Sequence, residues 1–164
     1  MLEYMVNALK FFPVEWTTIL IAASPVAELR GAIPVALALG QGVVKTYCLA
    51  VVGNIIPAVP LLLFFGKISD YLRRFFLWRK FFEWLFERTK RRADLVEKYG
   101  AIGLVLFVAI PLPMTGVWTG CIAAALFRIR FRYAIIAASI GVMIAGVAVT
   151  ILSVLGIGLF RMVN

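Results

Sequence analysis

The chain has 164 residues, 63% of them hydrophobic, a mean hydropathy of +1.00 and a net charge of +9 from 17 Lys and Arg against 8 Asp and Glu. That is far too apolar for a soluble domain, and several runs lack any charge for about 20 residues, the length a bilayer needs. There is no histidine and no Cys-x-x-Cys, so zinc sites, haem attachment and histidine-based catalysis lose their usual residues.

The composition therefore predicts one integral-membrane domain over residues 1–164, with no metal and no cofactor. The positive charge fits the inner side of a membrane better than nucleic acid, because it clusters beside apolar runs. Cys48 and Cys121 both lie in such runs and are expected to be buried small hydrophobes. Met1–Phe12 carries only Glu3 and Lys10 and lacks the charged start and apolar core of a signal peptide. It reads as a short helix at the membrane surface.

Val14–Ser24 is an apolar half-segment, roughly 16 Å long if helical, which reaches the bilayer centre and stops. Ser24-Pro-Val-Ala-Glu-Leu-Arg-Gly-Ala-Ile-Pro34 follows, with Glu28 and Arg30 in an apolar setting and Pro25 and Pro34 on either side. A charge at membrane mid-depth costs roughly 2.5–3.5 kcal/mol on insertion scales, so two must pair or meet water. Prolines break the helix, and broken backbone survives in lipid only when buried in protein or lining a wet cavity. The stretch is therefore either a helix–turn–helix that dips in and returns, with a turn around Pro25, Gly31 and Pro34 and Ala32–Leu39 running back, or the unwound middle of a span. Gly40-Gln-Gly42 is a breaker. Val43–Gly66 is a full span with Lys45 at its mouth and Asn54, Pro57 and Pro60 inside. Gly53-Asn54 marks a helix–helix contact or a wet face.

Lys67–Lys98 mixes Arg and Lys with Phe and Trp, which suits the headgroup layer; an amphipathic helix in the interfacial plane is predicted. Tyr99–Ile110 is a second apolar half-segment, followed by Pro111-Leu-Pro-Met-Thr-Gly-Val-Trp-Thr-Gly120, again two prolines with glycines. Cys121–Phe127 returns, Arg128-Ile-Arg-Phe-Arg132 is a basic cluster, and Tyr133–Phe160 crosses with tilt. Its glycines, Gly141, Gly146, Gly156 and Gly158, permit close helix approach.

The halves correspond: Pro25 aligns with Pro111, Leu39 with Ala125 and Tyr47 with Tyr133. The predicted fold is all-α integral membrane, with two inverted repeats (14–66 and 99–160), each a re-entrant helical hairpin plus a transmembrane helix, joined by the amphipathic linker 67–98. Broken segments at matching positions are a transporter signature. In this topology thirteen basic residues fall on the linker side and three opposite, which puts the linker in the cytoplasm and makes the chain a multi-pass protein of the cytoplasmic (inner) membrane. A plain four-span arrangement gives twelve against four, so the prolines and charges at mid-depth, not the count, favour the hairpins.

The turns would bring helix N-termini to the midplane, where free N–H groups favour an anion. Arg30 would hold a phosphate or carboxylate. Glu28 would balance it or carry a transported proton. Asn54, Thr115, Thr119 and the Trp118 indole complete the candidate substrate and proton site, with Pro111, Pro113, Gly116 and Gly120 forming the second turn. Glu28 and Arg30 as a purely structural pair is the rival reading.

Glu28-Leu-Arg-Gly-Ala-Ile-Pro34 together with Pro111-Leu-Pro-Met-Thr-Gly-Val-Trp-Thr-Gly120 resembles the small multidrug export family over nearly the whole chain. That family is similar, distantly, to the DedA and VTT membrane proteins, which have two re-entrant hairpins and are linked to moving lipids such as polyprenyl phosphates. The resemblance implies Glu28 and Arg30 as substrate and proton site. A flippase for an anionic lipid phosphate, a proton-coupled exporter of hydrophobic cations and a non-transporting membrane scaffold are the three readings, in that order. An enzyme is not expected, since no nucleophile has a nearby base. Partners are membrane lipids and a second copy of the chain, because hairpins that stop halfway need shielding; nucleic acid is not among them.

Overall fold

The computed structural model describes residues 13–64, 94–110 and 116–163. Every regular element among them is an α-helix: α1 (Val14–Ala23), α2 (Glu28–Ala38), α3 (Val43–Ile55), α4 (Asp94–Tyr99), α5 (Ala101–Ala109), α6 (Val117–Leu126) and α7 (Phe131–Val163). Residues 58–64 are helical again beyond Pro57. Two apolar runs are long enough to cross a bilayer, Val43–Phe64 with 22 residues and Phe131–Gly158 with 28. Large apolar side chains such as Trp16, Leu20, Val44, Ile102, Ile136 and Leu152 face outward. Water would penalise so many of them, whereas lipid does not. The predicted surface helix over 1–12 and most of the linker helix over 67–98 lie outside the described residues; α4 is the linker's last part.

The chain divides into two units, Met1–Asn54 with Gly146–Asn164, and Ile55–Ala145. In the first, α1 and α2 pack against each other across the four-residue turn Ser24–Ala27. α3 runs alongside α1 in the same direction. Lys45 Nζ meets Glu15 Oε1 at 2.6 Å near their starts, and Gly53 abuts Ile19 and Ala22 farther along. The core here sets Leu29, Ile33 and Val51 among small residues and threonines: Ala22, Ala32, Ala36, Ala50, Thr17, Thr18 and Thr46 are also buried. In the second unit, Gly120 of α6 meets Val108 and Leu104 of α5, and Gly141 of α7 meets Val108 and the Val105 carbonyl. Cys121 is buried there, its Sγ 3.9 Å from the Ala58 carbonyl.

The same order occurs twice: short helix, short helix, long helix. Starts recur at Val14 and Ala101, Glu28 and Val117, Val43 and Phe131, one to three residues later than the Pro25–Pro111 alignment puts them. α2 and α6 end alike. Gly40 N–H bonds to Leu37 O and Gln41 N–H to Ala36 O; Arg128 N–H bonds to Ala125 O and Ile129 N–H to Ala124 O. This is the Schellman termination, which needs a left-handed residue just past the helix. Gly40 (φ +83) and Arg128 (φ +53) supply it.

Three expectations are corrected. The first turn is shorter than the proline bracket: Pro25 lies in it, but Gly31 and Pro34 are inside α2. Pro34 only forfeits the bond that would end on the Arg30 carbonyl, and packing of Ile33 and Ala36 carries the helix past it. Cys48 is exposed rather than buried, because it falls on the outward side of α3. A Cβ on Gly156 or Gly158 would meet nothing within 4 Å, so only Gly141 and Gly146 mark close approaches.

Candidate functional site

Ser24 ends α1 in an extended conformation. Its Oγ accepts the Ala27 N–H at 3.2 Å, and its carbonyl accepts the Glu28 N–H at 3.1 Å. This short turn delivers Glu28, the first residue of α2, at φ +50. A residue with a side chain enters that left-handed region at a cost of about 1–3 kcal/mol. Glu28 is also 9% exposed, while Val26 at the tip of the turn is 95% exposed. The carboxylate thus sits inward at a helix N-terminus, where the helix dipole favours negative charge. Arg30, half-buried, is near enough for Glu28 to act on it electrostatically. Residues two apart do not face each other on a regular helix; the left-handed start of α2 removes that restriction.

Asn54 follows Gly53 on α3. It lies at the end of the unit where α1 hands over to the turn, is 1% exposed, and its Oδ1 has no hydrogen-bond partner. An unsatisfied buried acceptor costs roughly 1–3 kcal/mol, so this atom is set to receive a donor. Glu28, Arg30 and Asn54 belong to the first unit.

At the opposite end of the unit, Gln41 forms a polar layer that sequence reasoning missed. Its Oε1 lies 3.2 Å from Thr18 Oγ1 and 3.0 Å from Thr46 Oγ1, and its Nε2 is buried without a partner. Thr18 has one hydroxyl hydrogen, and the Val14 carbonyl at 2.7 Å takes it. Turning the amide over, which is isosteric, lets its two N–H groups donate to both hydroxyls. Gln41 thereby ties α1 to α3. The available signal was a pair of threonines, Thr17 and Thr18, in an otherwise apolar half-segment.

The predicted residues Gly116, Trp118, Thr119 and Gly120 belong to the second unit. Gly116 caps α6, Gly120 lies inside it, and Trp118 is half-buried on its first turn. The Thr119 hydroxyl accepts the Gly116 N–H at 3.0 Å and lies 3.2 Å from the Gly116 carbonyl, closing the helix start. Pro111, Pro113 and Thr115 lie outside the described residues. No group of three His, Cys, Asp or Glu placed to hold a metal occurs among the described residues.

Glu15 and Lys45 pair at the outer end of α1, and the hydrogen bond from Lys45 holds the Glu15 carboxyl below its usual range. A depressed carboxylate pKa stabilises the fold above the unfolded value and loses that effect as pH falls through the folded one. The parent chain is therefore expected to unfold at a slightly higher temperature than Glu15→Gln near neutral pH. The two should converge once pH drops below the carboxylate range, as read by thermal scans at a series of pH values. The pair is exposed, so the difference is small.

The family described as "Putative small multi-drug export protein" matches residues 28–148 of this chain, a stretch that begins at Glu28. No curated protein and no solved structure matches it.

Proposed function

The chain belongs to the small multi-drug export protein family, and from that premise we propose that it is a proton-coupled exporter of small amphipathic molecules in which Glu28 exchanges proton for substrate. One observation carries this reading: a carboxylate that is both buried and held at φ +50, in an apolar chain where glycine or alanine would cost less. Strain combined with a buried charge is retained where the group has work beyond folding. Transport rather than catalysis is proposed, with a hydrophobic cation as the substrate class that the Glu28 carboxylate would attract.

The membrane arrangement is part of the proposal. α1 has 10 residues, about 15 Å of helix, and Gly53 beside it falls at the middle of the run Val43–Phe64. Both support a pair α1–α2 that enters to mid-depth and returns, with an inverted counterpart in α5–α6. The excess of basic residues in and around 67–98 supports a cytoplasmic linker and an inner-membrane location. A homodimer would shield the half-depth helices.

The test uses the full chain in proteoliposomes with an imposed proton gradient and a fluorescent lipophilic cation. Gradient-dependent dye movement is expected, falling to the level of empty vesicles in Glu28→Gln. Movement that survives Glu28→Gln removes the reading. Arg30 favours a second reading, a flippase for an anionic lipid phosphate, since a guanidinium repels cations and holds phosphate. It predicts that a labelled lipid phosphate changes leaflet faster than in empty vesicles, and that Arg30→Ala abolishes this.

A further inference from the structure

α6 ends at Leu126 and α7 begins at Phe131, and the link between them carries Arg128 and Arg130, with Arg132 in the first turn of α7. All three are exposed. Among the described residues no acidic side chain pairs with any of them. Phe131 and Tyr133 beside them are also exposed, at 38% and 58%. Three exposed guanidiniums beside two outward rings make a surface that is both cationic and apolar. Their place in the chain explains them: Phe131–Gly158 is the longer of the two spanning runs, so its first residues stand at the boundary between hydrocarbon and water. Aromatic rings with a polar edge and cationic side chains both find partners at that depth.

The choice of residue at position 128 points the same way. The Schellman termination needs a left-handed residue there, and Gly40 fills the matching position in the first half. Glycine adopts that conformation freely and arginine does not. The chain thus keeps a cation where folding alone is better served by glycine. We propose that Arg128, Arg130 and Arg132 form a docking surface for the headgroups of anionic phospholipids, binding their phosphates and fixing the height of α7 in the bilayer. This is independent of what the protein transports and needs only that α7 spans the membrane.

Detergent-solubilised full-length protein is mixed with phosphatidylglycerol and phosphatidylcholine of matched chains, and retained lipids are counted by native mass spectrometry. The parent is expected to retain phosphatidylglycerol in preference, and loss of one guanidinium should reduce that preference by about fivefold. Arg128→Gly separates charge from folding: its melting temperature should match or exceed the parent's while the preference falls. Arg130→Gln/Arg132→Gln, which leaves the helix termination untouched, should lower the preference further. Equal retention of both lipids by the parent, or a preference unchanged in Arg130→Gln/Arg132→Gln, overturns the proposal. So does a preference that inorganic phosphate fails to reduce, since guanidiniums that hold the lipid phosphate would also bind the free anion.

Discussion

Glu28→Gly is expected to be more stable than Glu28→Ala by about 1 kcal/mol, the reverse of the usual order at a helical position. Both substitutions delete the carboxylate and its effect on Arg30, so their difference isolates the backbone. At φ +50 a Cβ is crowded and glycine is not. Elsewhere in a helix glycine is the worse residue by roughly 0.5–1 kcal/mol. In thermal unfolding of the purified protein the gap should appear as roughly 2–4 °C in favour of glycine. On the proposed mechanism both variants should move dye no faster than empty vesicles, because neither can take up a proton. The pairing of greater stability with lost transport is what a strained functional residue predicts. If alanine is the more stable, Glu28 is not held left-handed, and the case that its strain is kept for transport goes with it.

Glu28 and Arg30 were legible because a charge in an apolar run stands out by composition alone. The family was legible too, from the motif that starts at Glu28. The exact turn was not, since proline both breaks helices and sits inside them when packing holds the next turn, and α2 runs through Pro34. Gln41 looked like punctuation between two glycines. Thr46 is five residues on, but Thr18, 23 positions back, is joined to it only after α2 has turned back, and no local pattern encodes that. The Glu15–Lys45 pair spans 30 positions and was invisible for the same reason. Arg128 defeats sequence reasoning in another way: the residue expected to end a helix in the left-handed region is glycine, and an arginine stands there instead.

The helix order that occurs twice gains a second correspondence from packing. Aligning the halves by their prolines matched helix order but missed the packing. The stronger correspondence is between two glycines. A Cβ on Gly53 would stand 2.7 Å from the Ile19 carbonyl oxygen and 3.0 Å from Ala22 Cβ; one on Gly141 would stand 2.7 Å from Val108 Cβ and 2.9 Å from the Val105 carbonyl oxygen. Each glycine is the eleventh residue of its long helix, counted from Val43 or Phe131. Each lets that helix touch the backbone of the first short helix of its own half. Because the neighbour is backbone, no rotamer change can make room.

Gly53→Ala and Gly141→Ala should therefore both be destabilising, against alanine's helix advantage of about 1 kcal/mol. Forcing a methyl into a closed contact typically costs about 1–3 kcal/mol, and more where backbone must move. The net loss should lower the melting temperature by several degrees and cut the yield of monodisperse protein, with Gly53→Val failing to fold. Gly156→Ala is the internal control. It lies on α7 with nothing within 4 Å of its would-be Cβ, so alanine's propensity acts alone and the melting temperature should rise. Similar behaviour of Gly53→Ala and Gly156→Ala would mean that α3 does not approach α1 as closely as the geometry has it. The depth of Asn54 beside the Glu28 turn would then lose its support. Opposite signs at the two glycines, with Gly141→Ala following Gly53→Ala, would tie both halves to one packing rule.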